Sequence, residues 1–182
     1  MNKKVTVFLA LLFFCCGIGA AIFLRLVPMS HDHGDHSSEL ETVFKIAEQP
    51  LEKMTGEATS LSAEIGAQPA LINFWATWCA PCLHEIPLLE QAQAQHKVKT
   101  IGVTYEDLTA IESFTIQHPV AYPLFKSSFD IFYFFQQQGN RTAVLPYTVL
   151  IDANGEIIAE KIGDFKTIEE INKFVSLLST AI

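Results

Sequence analysis

A chain of 182 residues, 49% of them hydrophobic, has the length of one folded domain plus an appendage. Twelve basic residues stand against twenty acidic ones, and beyond Arg25 the balance is nine against twenty, a formal charge near −11 that argues against a nucleic-acid partner. Of four cysteines only Cys79 and Cys82 lie outside the first apolar run, which excludes a framework of long-range disulfides in the rest of the chain.

Residues 1–4 carry Lys3 and Lys4, and the next twenty, Val5 to Leu24, hold no charge. As a helix rising ~1.5 Å per residue this run spans the ~30 Å hydrocarbon layer, so a transmembrane signal anchor is expected over residues 5–27. Only Arg25 follows it closely, and the positive-inside bias then keeps residues 1–4 in the cytoplasm. In a bacterial cell this makes a single-pass protein of the inner membrane with its C-terminal domain in the periplasm. A cleaved signal peptide is the competing reading, offered by Gly19-Ala20-Ala21. The apolar run, however, exceeds the usual length of about 7–15 residues and continues past them. Cys15 and Cys16 sit within it as small hydrophobes, and the bulky Phe13 and Phe14 before them fit a lipid-attachment signal poorly.

Residues 28–41 are polar and contain His31-Asp32-His33-Gly34-Asp35-His36, a composition that buries too little surface to fold alone and reads as a flexible tether. The same three histidines and two aspartates could hold copper, zinc or nickel, which would make the chain a metal-handling or copper-stress protein of the envelope. An exposed polar tether is the plainer alternative. Residues 42–182 remain for one folded domain.

Ala70 to Ala76 is a dense apolar run rich in strand formers, and it predicts a buried strand. Pro81 suits a first helical turn, and Ile86, Leu89 and Ala92 continue a helical apolar face, so the strand enters a helix through Cys79-Ala80-Pro81-Cys82. Residues 99–104 predict a second strand, and Leu108, Ile111 and Thr115 mark one side of a helix over 108–118. Residues 130–139 predict a short helix whose aromatics belong to the core rather than to a partner surface. Residues 147–151 and 156–161 form a strand pair around the turn Asp152-Ala153-Asn154-Gly155. Ile168, Ile171, Val175 and Leu178 give a final packing helix.

Cysteines two residues apart cannot join distant segments, and their use is redox chemistry or half of a zinc site. Zinc needs two further ligands, and no second C-x-x-C or C-x-H pair follows the apolar run. Disulfide exchange needs a thiolate, and Cys79 at a helix start would gain one from unsatisfied N–H groups and the helix dipole. Cys82, one turn further in, is then the shielded partner that resolves a mixed disulfide.

The stretch Asn73-Phe74-Trp75-Ala76-Thr77-Trp78-Cys79-Ala80-Pro81-Cys82, followed by Glu85-Ile86-Pro87, resembles the active-site region of the TlpA/ResA branch of thioredoxin-like proteins. Leu145-Pro146-Tyr147-Thr148 and the residues up to Gly155 are similar to that family's second signature, and the resemblance runs from about Ala58 to the C-terminus. It implies an α/β thioredoxin-like fold with a central mixed β-sheet flanked by helices, and a cis-proline at Pro146. It also implies a redox-active disulfide between Cys79 and Cys82, an acidic neighbour at Glu85 that moves protons, and substrate contacts at Trp78 and Pro146. For Glu85, a solvated carboxylate on the first helical turns is the alternative. Cytosolic thioredoxins have a buried aspartate where this chain has Asn73, which cannot accept a proton. The implied activity is reduction of protein disulfides, apocytochrome c among them, in cytochrome c maturation. Electrons would come from a membrane thiol transporter of the DsbD or CcdA type, with no cofactor and no metal. An Sco-like copper chaperone would need wider cysteine spacing and a distal histidine, and a peroxiredoxin a different cysteine motif.

Overall fold

The computed structural model describes residues 46–96 and 98–180. The expected anchor over 5–27, the tether over 28–41 with its histidines, and the first residues of the domain at 42–45 lie outside them. No helix among the described residues is long and apolar enough to cross a membrane.

Seven strands form one mixed sheet: β1 (Pro50–Lys53), β2 (Ala58–Ser60), β3 (Ala70–Phe74), β4 (Lys99–Thr104), β5 (Leu124–Ser127), β6 (Tyr147–Ile151) and β7 (Ile157–Ile162). Their order is β2-β1-β5-β4-β3-β6-β7. The central β3, β4 and β5 are parallel, and the flanking pairs are antiparallel. Parallel neighbours need crossovers, and these are the helices α2 (Ala80–His96) and α3 (Leu108–Gln117). The remaining helices are α1 (Leu61–Ile65), α4 (Ile131–Gln137) and α5 (Ile168–Ser176). This is the thioredoxin-like arrangement that the motif implies.

The period of two along β3 separates two cores. Leu71 and Trp75 face a cluster with Cys82, Ile86 and Leu89 of α2, Ile111 and Phe114 of α3, and Ile171 and Val175 of α5. Ile72 and Phe74 face the other side, against Leu61 and Ile65 of α1 and Ile131, Phe134 and Phe135 of α4. β6 follows the same alternation, with Leu150 in the first cluster and Tyr147, Val149 and Ile151 in the second.

Several boundaries differ from the sequence pattern. β3 ends at Phe74, two residues before its apolar run does; Trp75 and Ala76 stay buried in the loop, with the Trp75 N–H donating to the Val103 carbonyl. α2 continues through Pro87, which occupies an exposed position. In α4, Ile131, Phe134 and Phe135 are core as expected, but Phe132 and Tyr133 face outward. The strands β1, β2 and β5 and the helix α1 carry no strong apolar period and were not among the expected elements.

Candidate active site

β3 delivers the chain to Thr77-Trp78 and α2 begins at Ala80, which places Cys79 at the mouth of a helix of 17 residues. Cys79 and Cys82 form a disulfide with Cα atoms 5.3 Å apart. The helix start wraps around the first sulfur: the Cys82 and Leu83 N–H groups donate to the Cys79 carbonyl, and the Cys82 N–H also points at Cys79 Sγ, 3.3 Å away. The Cys82 N–H aimed at this sulfur and the positive end of the helix dipole favour negative charge there. Cys82 is completely buried, and Cys79 retains only 3% of its surface. Both cysteines are therefore buried in the disulfide, and Cys79 is not the exposed thiol expected of the nucleophile, because Trp75, Ala76 and Ile86 pack in the same cluster. Trp78, next to it, is 66% exposed.

Glu85 lies three residues beyond Cys82 on α2 and is 0% exposed, so it is no solvated helix carboxylate. Asn73 Nδ2 donates to its Oε1 at 2.5 Å, and the Phe165 N–H donates to its Oε2 at 2.9 Å. Burial pushes the carboxyl up from 4.5 to about 7, against the lowering effect of these two hydrogen bonds; Asp164 adds to the rise and Lys161 opposes it. Asn73 and Thr148 are paired across β3 and β6, and Asn73 Nδ2 also donates to Thr148 Oγ1 at 3.0 Å. The asparagine is thus the fixed donor that holds Glu85 against the sheet. Tyr122 belongs to the cluster that holds both cysteines, and its hydroxyl is pushed up by burial and further by the charge of Glu85.

Pro146 is buried and follows a cis peptide bond from Leu145. It precedes Tyr147, which pairs with Phe74 at the end of β3, and Leu145 packs against the cluster that contains both cysteines. The structure therefore brings Trp78, Cys79, Cys82 and the Pro146 loop to one end of the sheet, with Glu85 beneath them on α2.

One residue of this region carries no motif. Glu106, in the loop after β4, accepts the Thr77 N–H at 2.6 Å and the Thr77 hydroxyl at 2.8 Å. Its own N–H donates to Thr104 Oγ1. This clasp ties the loop before Cys79 to the neighbouring strand. Its only sequence signal is a carboxylate just past a strand parallel to the one that carries the cysteines.

Residues 41–178 match the Redoxin family. The chain belongs to that family. This Redoxin is 31% identical to the thiol:disulfide interchange protein DsbE of Vibrio cholerae, over 90% of this chain and 88% of that protein. It is 28% identical to the thiol-disulfide oxidoreductase ResA of Halalkalibacterium halodurans, over 70% of this chain and 72% of that one. Among solved structures, a thioredoxin-related protein from Neisseria meningitidis superposes with a TM-score of 0.61 at 26% identity, covering 71% of this chain and 98% of its own. StoA of Bacillus subtilis, at 22% identity and a TM-score of 0.52 over 69% of this chain and 94% of its own, shares the fold. With relatives of this kind and a disulfide at C-x-x-C spacing, the Redoxin is a thiol–disulfide oxidoreductase.

Proposed function

We propose that this oxidoreductase is a membrane-anchored reductase of protein disulfides on the periplasmic side of a bacterial inner membrane, with Cys79 as nucleophile, Cys82 as resolver and Glu85 as the proton-transfer group. The buried Glu85 carries this reading: on the helix turn after Cys82, held by Asn73 and the Phe165 N–H, its carboxyl is pushed up by burial to about 7, a range in which it can both take and give a proton. In the reduced enzyme the Cys79 thiolate attacks a substrate disulfide, forming an enzyme–substrate mixed disulfide and releasing one substrate thiolate, which is then protonated. Cys82 gives its proton to Glu85 and attacks Cys79 Sγ. The second substrate thiolate leaves, and the Cys79–Cys82 disulfide remains. Two electrons pass from the enzyme dithiol to the substrate, and a thiol donor of the DsbD or CcdA type restores the dithiol. Trp78 and Pro146 border the incoming disulfide, and apocytochrome c is among the substrates this reading includes. The uncharged run from Val5 to Leu24, with Lys3 and Lys4 before it, supports the anchor and the location.

Limited alkylation of the reduced full-length protein, read by peptide mass, tests the assignment together with insulin reduction and a peroxide-consumption control. Cys79 should be modified before Cys82, and insulin reduced without peroxide consumption. Equal labelling, preference for Cys82, or peroxide turnover would overturn it.

A further inference from the structure

Three exposed aromatic side chains stand at the end of the sheet where the disulfide lies. β3, β4 and β5 are adjacent and parallel, so the loops leaving their C-terminal ends emerge on the same side. The first carries Trp78, the second Tyr105, and the third leads into α4 with Phe132 in its first turn; they are 66%, 38% and 42% exposed. One clasp ties two of the loops together, and one ring contact joins two of the aromatics. The Thr77–Glu106 clasp fixes the Trp78 loop to the Tyr105 loop, and the Tyr105 and Phe132 rings lie 5.2 Å apart at 52°.

Phe132 is held in this position. Asp130 accepts the N–H groups of Phe132 and Tyr133, fixing the first turn of α4, while Ile131, Phe134 and Phe135 turn inward. The charges nearby are already engaged: Glu106 with Thr77, and Asp107 with Lys126, which also pairs with Glu52. What the surface offers an incoming chain is ring area.

We infer that Trp78, Tyr105 and Phe132 form a docking track for an apolar or aromatic stretch of the substrate polypeptide beside its reacting cysteine. The inference rests on the proposed reading of Cys79 as the point of attack, and the track starts at Trp78, the residue before that point, in a loop tied to the Tyr105 loop. β6 lies on the opposite flank of β3 from β4, so the track leads away from the Pro146 loop. Strands stand ~4.8 Å apart, so the β5 end of the track is displaced about 10 Å from the cysteine strand, and an extended chain at ~3.3 Å per residue covers this in about three residues. The preferred substrate therefore has an aromatic residue about three positions from its reacting cysteine.

The test compares the full-length protein with a Tyr105→Ser, Phe132→Ser double variant against three disulfides: glutathione disulfide and two peptide disulfides of equal length, one with Phe and one with Ser three residues from the cysteine. The wild type should reduce the Phe peptide about tenfold faster than the Ser peptide, the scale of a lost aromatic contact. The double variant should lose that preference and keep its rate on glutathione disulfide. A wild type with no preference, a variant that retains it, or an equal loss on all three disulfides overturns the track. So does concentration-dependent dimerisation that vanishes in the variant without any peptide preference, which would make the surface a self-association face. A wild type inert toward all three disulfides defeats the redox reading itself, and the track with it.

Discussion

Replacing Glu85 by glutamine removes a buried titrating group at nearly constant volume, and the consequence can be worked out from its surroundings. The carboxyl titrates at about 7 in the folded protein and at its ordinary value of 4.5 when exposed, a gap that corresponds to about 3 kcal/mol. Between these values the folded protein keeps a proton that the unfolded chain has released, so stability falls as pH rises. The contribution is fully present below pH ~4.5 and is lost as pH climbs through about 7. Glutamine cannot ionise and should lack this slope. It can still accept the Phe165 N–H, and its amide can donate to Asn73 Oδ1, which has no hydrogen-bond partner among the described residues. Urea denaturation of the oxidised wild type and Glu85→Gln from pH 4.5 to 8.5 should show the variant gaining about 3 kcal/mol relative to wild type across that range. The exchange rate of the reduced protein should lose its inflection near 7 in the same variant. Parallel stability curves would refute the burial argument, and an unchanged rate profile would remove Glu85 from proton transfer.

Glu106→Ala removes two hydrogen bonds from Thr77 to a carboxylate, each worth about 1.5–3 kcal/mol where shielded and less at this half-buried site. It should slow exchange with a small disulfide at least severalfold, while Glu106→Gln, which keeps one acceptor, falls in between; stopped-flow rates check this order. Gly102→Ala would place a Cβ 2.5 Å from Leu124 Cδ2 and 3.1 Å from both Trp75 Nε1 and Tyr122 Cε2. Overpacking of this kind costs about 1–3 kcal/mol, which urea midpoints would register. The full-length protein should stay with membranes after a carbonate wash, and a shortened soluble form would favour a cleaved signal peptide instead.

The parts of the fold legible in the sequence are those in which a local run does the work. β3 and β6 are dense apolar runs and β4 is rich in strand formers because both faces of a central sheet are covered, and α5 repeats its apolar residues at helical spacing. β1, β2 and β5 are three or four residues long and exist through pairing, β1 with both β2 and β5, which no local pattern reports. The five apolar residues of α4 have no period of their own, so the outward turn of Phe132 and Tyr133 is set by the tertiary packing of Phe134 and Phe135. The cysteine pair was legible because its chemistry is contained in four residues. The Glu106 clasp was not, since it joins residues 29 positions apart, nor was the Asn73–Thr148 contact, which depends on strand register. The backbone N–H that holds Glu85 likewise belongs to Phe165, 80 residues further along the chain.

The central claim is that Cys79 attacks and Cys82 resolves, and trapping in cells tests it most directly. Cys82→Ser should arrest exchange as mixed disulfides that survive non-reducing isolation, while Cys79→Ser should trap far less. Mass spectrometry of the trapped species then names the substrates and the electron donor. If the two variants trap equally little from cells in which the wild-type pair is demonstrably cycling between dithiol and disulfide, the assignment of nucleophile and resolver is contradicted.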